Sequence, residues 1–187
     1  NTAAGASTLT LGDADANGSF SGTILDGGVG NTLSLTKIGN GTLILSNVSA
    51  MTTFYPQQCM TILENGSSTL VTNTLRVALN AGDVGALLLR GNALLHVTNT
   101  FVVGEGGAAV GTLRLQDTAI LQAKNFYIGN NGMGAGYQGA GTVVQNASGA
   151  DGTWYLGNSA SAYAYYNLSG GVFLPGGSDF AIGGNGG

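Results

Sequence analysis

The stretch Phe101-Val102-Val103-Gly104 decides the fold, because close copies of it return along the chain at nearly constant spacing. The copies are Leu75-Arg76-Val77-Ala78, Phe126-Tyr127-Ile128-Gly129, Trp154-Tyr155-Leu156-Gly157 and Phe180-Ala181-Ile182-Gly183. Their first residues therefore stand at positions 75, 101, 126, 154 and 180, which are nearly evenly spaced. Self-similarity at a period of roughly 20 to 50 residues is typical of solenoids and other repeat arrays. The repeat therefore predicts a stack of similar coils.

Alternation within each copy indicates a β-strand, because successive side chains of a strand point to opposite faces. Stacked coils would place the first and third positions of the copies in two apolar ladders inside the structure. The first ladder is Leu75, Phe101, Phe126, Trp154 and Phe180, and the second is Val77, Val103, Ile128, Leu156 and Ile182. The second-position residues Arg76, Val102, Tyr127, Tyr155 and Ala181 are expected to face outward. The closing Gly or Ala marks a corner, where φ can become positive.

Further alternating pairs, such as Leu87 with Leu89 and Leu113 with Leu115, precede the repeated stretch in each period. We therefore predict an all-β fold, a parallel β-helix or solenoid of about seven coils with a period of about 26 residues. Right-handed crossovers are the default for parallel strands. The rod is expected to run through residues 1–187 as one domain, with one type of coil in 1–59 and another in 60–187. Longer loops are expected at 48–58 and 130–140.

Composition limits the partners of such a rod. Charged residues make up 7% of the chain, against a usual level of about 25%, whereas apolar residues reach 43%. A surface of Asn, Ser, Thr and Gly is weakly protected by charge repulsion and favours self-association. The net charge of −4 excludes a basic nucleic-acid footprint. No run of 18 apolar residues is present, so we expect no membrane insertion of this segment.

One segment also resembles a known family. Leu35-Thr36-Lys37-Ile38-Gly39-Asn40-Gly41-Thr42-Leu43-Ile44-Leu45-Ser46 is similar to the passenger-associated repeat, or autotransporter-associated β-strand repeat, of bacterial autotransporters. Tyr166-Asn167-Leu168-Ser169-Gly170-Gly171 and the repeated four-residue stretches resemble repeats of long, Gly-rich bacterial surface β-helix proteins. Pro56-Gln57-Gln58 departs from the family's pattern. The resemblance implies a parallel β-helix on or outside a bacterial cell, and it implies no particular activity.

Few residues are candidates for chemistry. Asp13, Asp15 and Asn17 begin like a calcium loop, but Ile24 stands where an EF-hand requires Glu, which leaves a looser Ca²⁺ site or a plain polar turn. His96 has no second histidine with which to bind a metal. The acidic residues are dispersed: Asp13, Asp15, Asp26, Glu64, Asp83, Glu105, Asp117, Asp151 and Asp179. Glu64 aligns with Arg90 on the next coil and can form an ion pair there. We expect no catalytic site and no cofactor.

Two functions remain open for an extracellular or cell-surface rod. The first is a structural segment of a stalk or fibre, belonging to a longer chain or associating with further copies of itself. The second is a glycan-binding adhesin module, in which Tyr127 and Tyr155, with Tyr163 and Tyr165, form an aromatic platform. Tyr127 and Tyr155 occupy the same outward position on adjacent coils and either stack on each other or hold a sugar ring. A polysaccharide-active enzyme would need carboxylates brought together in space, and we expect none.

Overall fold

A computed structural model describes residues 5–146, 152–176 and 179–183. These residues form short strands joined by corners and contain no helix. The strands are β1 (Ala6–Leu11), β2 (Gly18–Phe20), β3 (Ile24–Leu25), β4 (Thr32–Lys37), β5 (Leu43–Leu45), β6 (Ser49–Pro56), β7 (Cys59–Leu63), β8 (Ser68–Val77), β9 (Val84–Leu89), β10 (Leu94–Val103), β11 (Val110–Leu115), β12 (Ile120–Ile128), β13 (Met133–Gln138), β14 (Thr142–Gln145), β15 (Thr153–Leu156), β16 (Tyr163–Leu168), β17 (Val172–Leu174) and β18 (Asp179–Ile182).

The strands belong to two sheets in which every neighbouring pair is parallel. Sheet A contains β1, β3, β4, β6, β8, β10, β12, β14, β15, β17 and β18, and sheet B contains β2, β5, β7, β9, β11, β13 and β16. Each strand pairs with its equivalent on the next coil, so that Leu75 lies beside Phe101 and Phe101 beside Phe126. The chain is therefore a β-solenoid of about seven turns, as the sequence predicts. Its spacing of about 26 residues also separates hydrogen-bonded side chains on adjacent coils, such as Asn73 and Asn99.

The sheet A segment of each coil bends in the middle. In β10 the bend falls at Thr98 and Asn99, which are exposed, whereas Val97 and Phe101 on either side are buried. The register of β10 with β12 shifts at this point, because two residues of β10 lie opposite the single Lys124. In the last coils the two halves become separate strands, β14 with β15 and β17 with β18. Val97 before this point and Phe101 after it both belong to the apolar core cluster.

The predicted first ladder is present and longer than expected. Register places its members in one column together with three further residues toward the N-terminus: Leu9, Leu35, Phe54, Leu75, Phe101, Phe126, Trp154 and Phe180. The members from Leu35 to Trp154 are at most 1% exposed, whereas Phe180 is 52% exposed on the last described coil. The column runs without a break across residue 60, where the sequence changes its repeat type.

The second ladder is also formed. Val77, Val103 and Ile128 are fully buried, Leu156 is half-buried, and Ile182 is 75% exposed at the same end as Phe180. Val102 was expected to face outward, but it is only 1% exposed. It is nevertheless not part of the central core cluster. Val102 lies between Arg76 and Tyr127 in the sheet, two residues with larger side chains.

The corners after the ladders have the backbone conformation that the sequence predicts. Ala78, Gly104, Gly129, Gly157 and Gly183 all have positive φ, between 58° and 79°. Another glycine is required where the chain passes inside the corner: a Cβ on Gly111 would collide with Gly104 and Val103. The two requirements differ, because the corner accepts a methyl group at Ala78, whereas the close approach excludes any Cβ at Gly111.

Two expected loops are strands in the structure. Residues 49–56 form β6 and residues 133–138 form β13, so the predicted loops at 48–58 and 130–140 are wrong. Strand β13 lacks the alternating apolar side chains that identify a strand in sequence, because Gly134 and Gly136 occupy its inward positions, where no side chain fits. A Cβ on Gly136 would overlap the Tyr166 ring on the next coil. Close packing, rather than flexibility, accounts for these glycines.

Candidate functional site

The described acidic residues are spread along the rod, and most of them hold a corner or a neighbouring coil. Asp15 accepts hydrogen bonds from Asn40, Asp83 accepts one from the Asn80 amide, and Asp117 accepts one from the Gly91 amide at 2.8 Å. Asp151 lies outside the described residues. Within the described ranges there is no group of three or more His, Cys, Asp or Glu side chains that could hold a metal ion. These carboxylates are engaged in structural hydrogen bonds rather than gathered into one site.

The calcium candidates are engaged with the next coil. The Asp15 carboxylate accepts from the Asn40 amide at 2.6 Å and from its side-chain nitrogen at 3.0 Å. These hydrogen bonds, the backbone one first, hold the pKa of Asp15 below its usual value. Asn17 Oδ1 accepts from the Thr42 amide at 2.7 Å, and Asp13 is exposed. A cation at this corner would have to compete with protein donors for the same oxygens.

Lys37 has a structural role that the repeat motif alone does not predict. It is 1% exposed, and its ammonium group donates to the carbonyls of Ile38 at 2.7 Å, Gly39 at 2.9 Å and Gln58 at 3.2 Å. Burial lowers the pKa of Lys37, and the charges of nearby Cys59 and Asp15 act in the opposite direction. Three carbonyls that point into a tight corner obtain their donor from this one side chain.

Two polar contacts between coils use charged side chains. Arg90 and Glu64 form the ion pair expected from the sequence, with Arg90 Nε 2.6 Å from Glu64 Oε2. Arg76 lies 3.5 Å from Glu105, whose other oxygen accepts from Asn130 at 3.0 Å. Arg90 and Arg76 are both partly exposed, so each pair contributes little to stability.

An amide ladder covers the bend in sheet A. Asn99 donates to Asn73 and accepts from Asn125, with both distances 3.2 Å. Asn125 in turn accepts from the backbone and hydroxyl of Thr153 on the following coil. Sequence reasoning missed this ladder, although its signal is visible as asparagine recurring in equal steps of 26 residues. These amide groups therefore hydrogen-bond to one another at a point where the strand is exposed to solvent.

The predicted tyrosine platform is divided between the two sheets. Tyr127 and Tyr155 in sheet A stack at 5.6 Å between ring centroids and 17° between planes, so their facing surfaces cover each other. The Tyr127 hydroxyl bonds to Thr153 at 2.9 Å. Tyr163 and Tyr165 belong to β16 in sheet B, where Tyr165 contacts Tyr137 rather than the other pair. The four tyrosines therefore do not form one stacked surface.

A polar exception interrupts an apolar column of sheet B. The column Leu63, Leu89, Leu115 continues with Gln138, which is 1% exposed. The Tyr166 hydroxyl donates to Gln138 Oε1 at 2.7 Å, and Gln138 Nε2 donates to the carbonyls of Gly141 and Val172. Burial raises the pKa of the Tyr166 phenol.

A shallow groove of about 250 Å³ lies on the outer face of sheet B. Its lining residues are Arg114, Leu115, Gln116, Tyr137, Gly139, Asn167 and Ser169. The Arg114 guanidinium carbon lies 5.4 Å from the centroid of the Tyr137 ring, over its face. Tyr137 also meets Tyr165 at 5.6 Å with an interplanar angle of 52°. The groove combines a cation, an aromatic face and neutral hydrogen-bonding groups.

A larger cavity of about 500 Å³ opens at the first described coil. Apolar side chains line most of it, among them Leu9, Leu11, Phe20, Ile24 and Leu43, with the buried Lys37 at its margin. Leu9 is 36% and Phe20 41% exposed, although their counterparts on later coils are buried. Strands β1 and β2 each pair with a described neighbour on one side only. This end of the described core is open.

Comparison of the chain with family models, with curated proteins and with solved structures finds no match. Among the described residues, no helix is long and apolar enough to cross a membrane.

Proposed function

We propose that this chain is a structural rod segment of a bacterial cell-surface or extracellular fibre, completed end to end by another β-solenoid coil. The open cavity at the first coil carries this proposal. Among the described residues, β1 and β2 each have one edge without a paired strand beside this cavity, and an exposed parallel edge is a template for a further strand. The extracellular location rests on the resemblance of residues 35–46 to the autotransporter repeat.

The occupant that fits this end is the last coil of a second copy or a further repeat of the same chain. At the other end of the described chain, Phe180 is 52% and Ile182 75% exposed, and both continue the apolar ladders of the rod. Repeat arrays leave apolar faces at their ends unless polar capping units cover them. A head-to-tail contact would bury both apolar ends and continue both ladders.

We propose no catalytic role, because most of the described acidic residues lie far apart and bind a corner or a neighbouring coil. The glycan-binding alternative also finds little support in Tyr127 and Tyr155, whose rings are stacked on each other. The favoured role of these two residues is to hold adjacent coils together.

Sedimentation velocity over a wide concentration range, with electron microscopy of the same samples, tests the assembly. We expect concentration-dependent linear oligomers. Leu9→Lys, which puts a charge at the open end, should weaken association by about tenfold or more. Val29→Lys is the matched control, because Val29 is fully exposed in a turn and adds the same charge outside the cavity.

A monodisperse monomer at high concentration would contradict the proposal. So would a Leu9→Lys variant that assembles as readily as the Val29→Lys control. Circular dichroism of both variants shows whether each keeps its β-structure, so that a loss of assembly can be separated from a loss of folding.

A further inference from the structure

We propose that the groove around Arg114 and Tyr137 binds the carboxylate of an acidic saccharide, such as a uronic acid unit of a polysaccharide. This site lies on sheet B, away from the stacked pair Tyr127 and Tyr155 on sheet A. It is independent of the end-to-end assembly, because the groove lies on a side face formed by β11, β13, β16 and the residues that follow them.

Arg114 is a cationic side chain that lacks an ion-pair partner among the described residues. In the described part of the chain, the ion pairs are those of Arg76 and Arg90, and Arg114 has no acidic partner. Its guanidinium instead lies over the Tyr137 ring, which orients the planar group and leaves its edge donors free. A guanidinium edge matches a carboxylate with two parallel hydrogen bonds.

The shape of the groove comes from a missing side chain. Gly139 follows β13 at the position that Gln116 holds after β11 and Ser169 after β16. A Cβ on Gly139 would meet no atom within 4 Å, and its φ is not positive, so neither close packing nor backbone strain requires glycine there. The absence of a side chain opens a hollow between Gln116 and Ser169.

The remaining lining fits a sugar. Tyr137 is 40% exposed and presents aromatic surface, on which the C–H face of a pyranose can pack. Gln116, Asn167 and Ser169 provide amide and hydroxyl groups for sugar hydroxyls, and none of the lining residues is acidic. Since the chain has a net charge of −4, attraction of an anion has to come from this local arrangement rather than from the overall field.

Isothermal titration calorimetry of the full chain tests the site with three probes: oligogalacturonate, oligoglucuronate, and the methyl ester of the former. We expect saturable binding of at least one acidic oligomer, with the uncharged ester at least about tenfold weaker. Polyglutamate of similar length serves as a carboxylate without a sugar ring and should bind more weakly than the sugar.

Three variants locate the binding. Arg114→Gln should reduce affinity about tenfold or more, and Gly139→Leu should do the same by filling the hollow. Lys124→Gln removes the same charge from sheet A and should leave affinity unchanged. Thermal unfolding of each variant verifies the fold, and Gly139→Leu is expected to keep it because the space is open.

The proposal is overturned by any of three results: no saturable binding of either acidic oligomer, equal binding of the methyl ester, or affinity that survives both Arg114→Gln and Gly139→Leu. Polyglutamate binding as tight as that of the sugars would also overturn it, since the site would then recognise acidic peptides.

Discussion

The indole of Trp154 lies flat on the ring of Phe126, with centroids 3.8 Å apart and planes 3° apart. On the preceding coil, Phe101 stacks on Phe126 at 4.8 Å and 27°. All three rings are at most 1% exposed. The middle ring therefore has an aromatic neighbour on both faces.

Replacing that middle ring should be costly. Phe126→Ala removes two stacking contacts and leaves a cavity within the ladder, so we expect the free energy of unfolding to fall by about 3–5 kcal/mol. Phe126→Leu should cost less, because it keeps more of the buried volume. Denaturant unfolding monitored by fluorescence is the measurement, since Trp154 is the chain's single tryptophan. Equal stability of the Ala and Leu variants would contradict a volume-dependent contribution from this position.

Gln138 and Tyr166 should behave as a coupled pair. Tyr166→Phe leaves Gln138 Oε1 buried without its donor, and we expect a loss of about 1–3 kcal/mol. Gln138→Leu restores the leucine column but also removes the donor to the Gly141 and Val172 carbonyls, so it should be destabilising by itself, and the double variant should lose less than the sum of the two single changes. A double-mutant cycle from denaturant unfolding gives the coupling energy. Strict additivity of the two changes would contradict the pairing.

Lys37→Met should destabilise the protein although it places an apolar residue beside an apolar core. Three carbonyls would lose their shared donor, and we expect a cost of about 2 kcal/mol or more. Lys37→Arg keeps the charge but alters the length and shape of the donor group, and it serves as the comparison in thermal unfolding. A Met variant as stable as the wild type would show that the three hydrogen bonds are dispensable.

The lowered pKa of Lys37 also gives a pH dependence. Because the unfolded chain holds this proton more tightly than the folded chain, the contribution of Lys37 to stability should rise as pH increases through the folded pKa toward the usual lysine value of about 10.4. Comparison of wild type with Lys37→Met in denaturant at pH 7 and at alkaline pH isolates this contribution. A difference between the two proteins that favours Lys37 less at alkaline pH would have the wrong sign.

Asp15 should act in the opposite pH range. Its folded pKa is lowered, so its stabilising contribution is present above about pH 4 and is lost as pH falls through the folded pKa. Wild type and Asp15→Asn should therefore differ in stability at pH 6 and converge at strongly acidic pH.

A calcium titration followed by NMR tests the metal hypothesis at the same corner. Perturbation of the Asn40 and Thr42 amide signals at low Ca²⁺ would support a calcium site, and unchanged signals would count against it.

The regular part of the fold was predictable, since one ladder residue returns in each period from Leu75 to Phe180. The earlier coils were harder to align, because Leu35, Phe54 and Leu75 follow one another at shorter steps than the later members of the column do. Only pairing in space shows that these residues share a column. The strand β13 was missed for a different reason: its inward glycines remove the apolar alternation that marks a strand.

Side-chain sites were less predictable than the ladders. The ion pair of Glu64 with Arg90 follows from an equal position on adjacent coils, and the same reasoning identifies the column of Asn73, Asn99 and Asn125 afterwards. Arg114 and Tyr137 are closer in sequence than one regular period, so a fixed period misaligns them, although they are direct partners in sheet B. The hollow beside Gly139 is invisible in sequence, because a corner glycine and a groove glycine look alike.

The parallel ladders have a mechanical consequence. Because each strand hydrogen-bonds to the coils before and after it, the backbone hydrogen bonds run along the rod, and tension applied between its two ends loads them one coil at a time. Such a rod should yield by peeling from an end instead of shearing as a whole. Each coil of about 26 residues would release on the order of 90 Å of extended chain. Stretching would thus turn a short, stiff segment into a long tether in discrete steps, leaving the remaining coils folded.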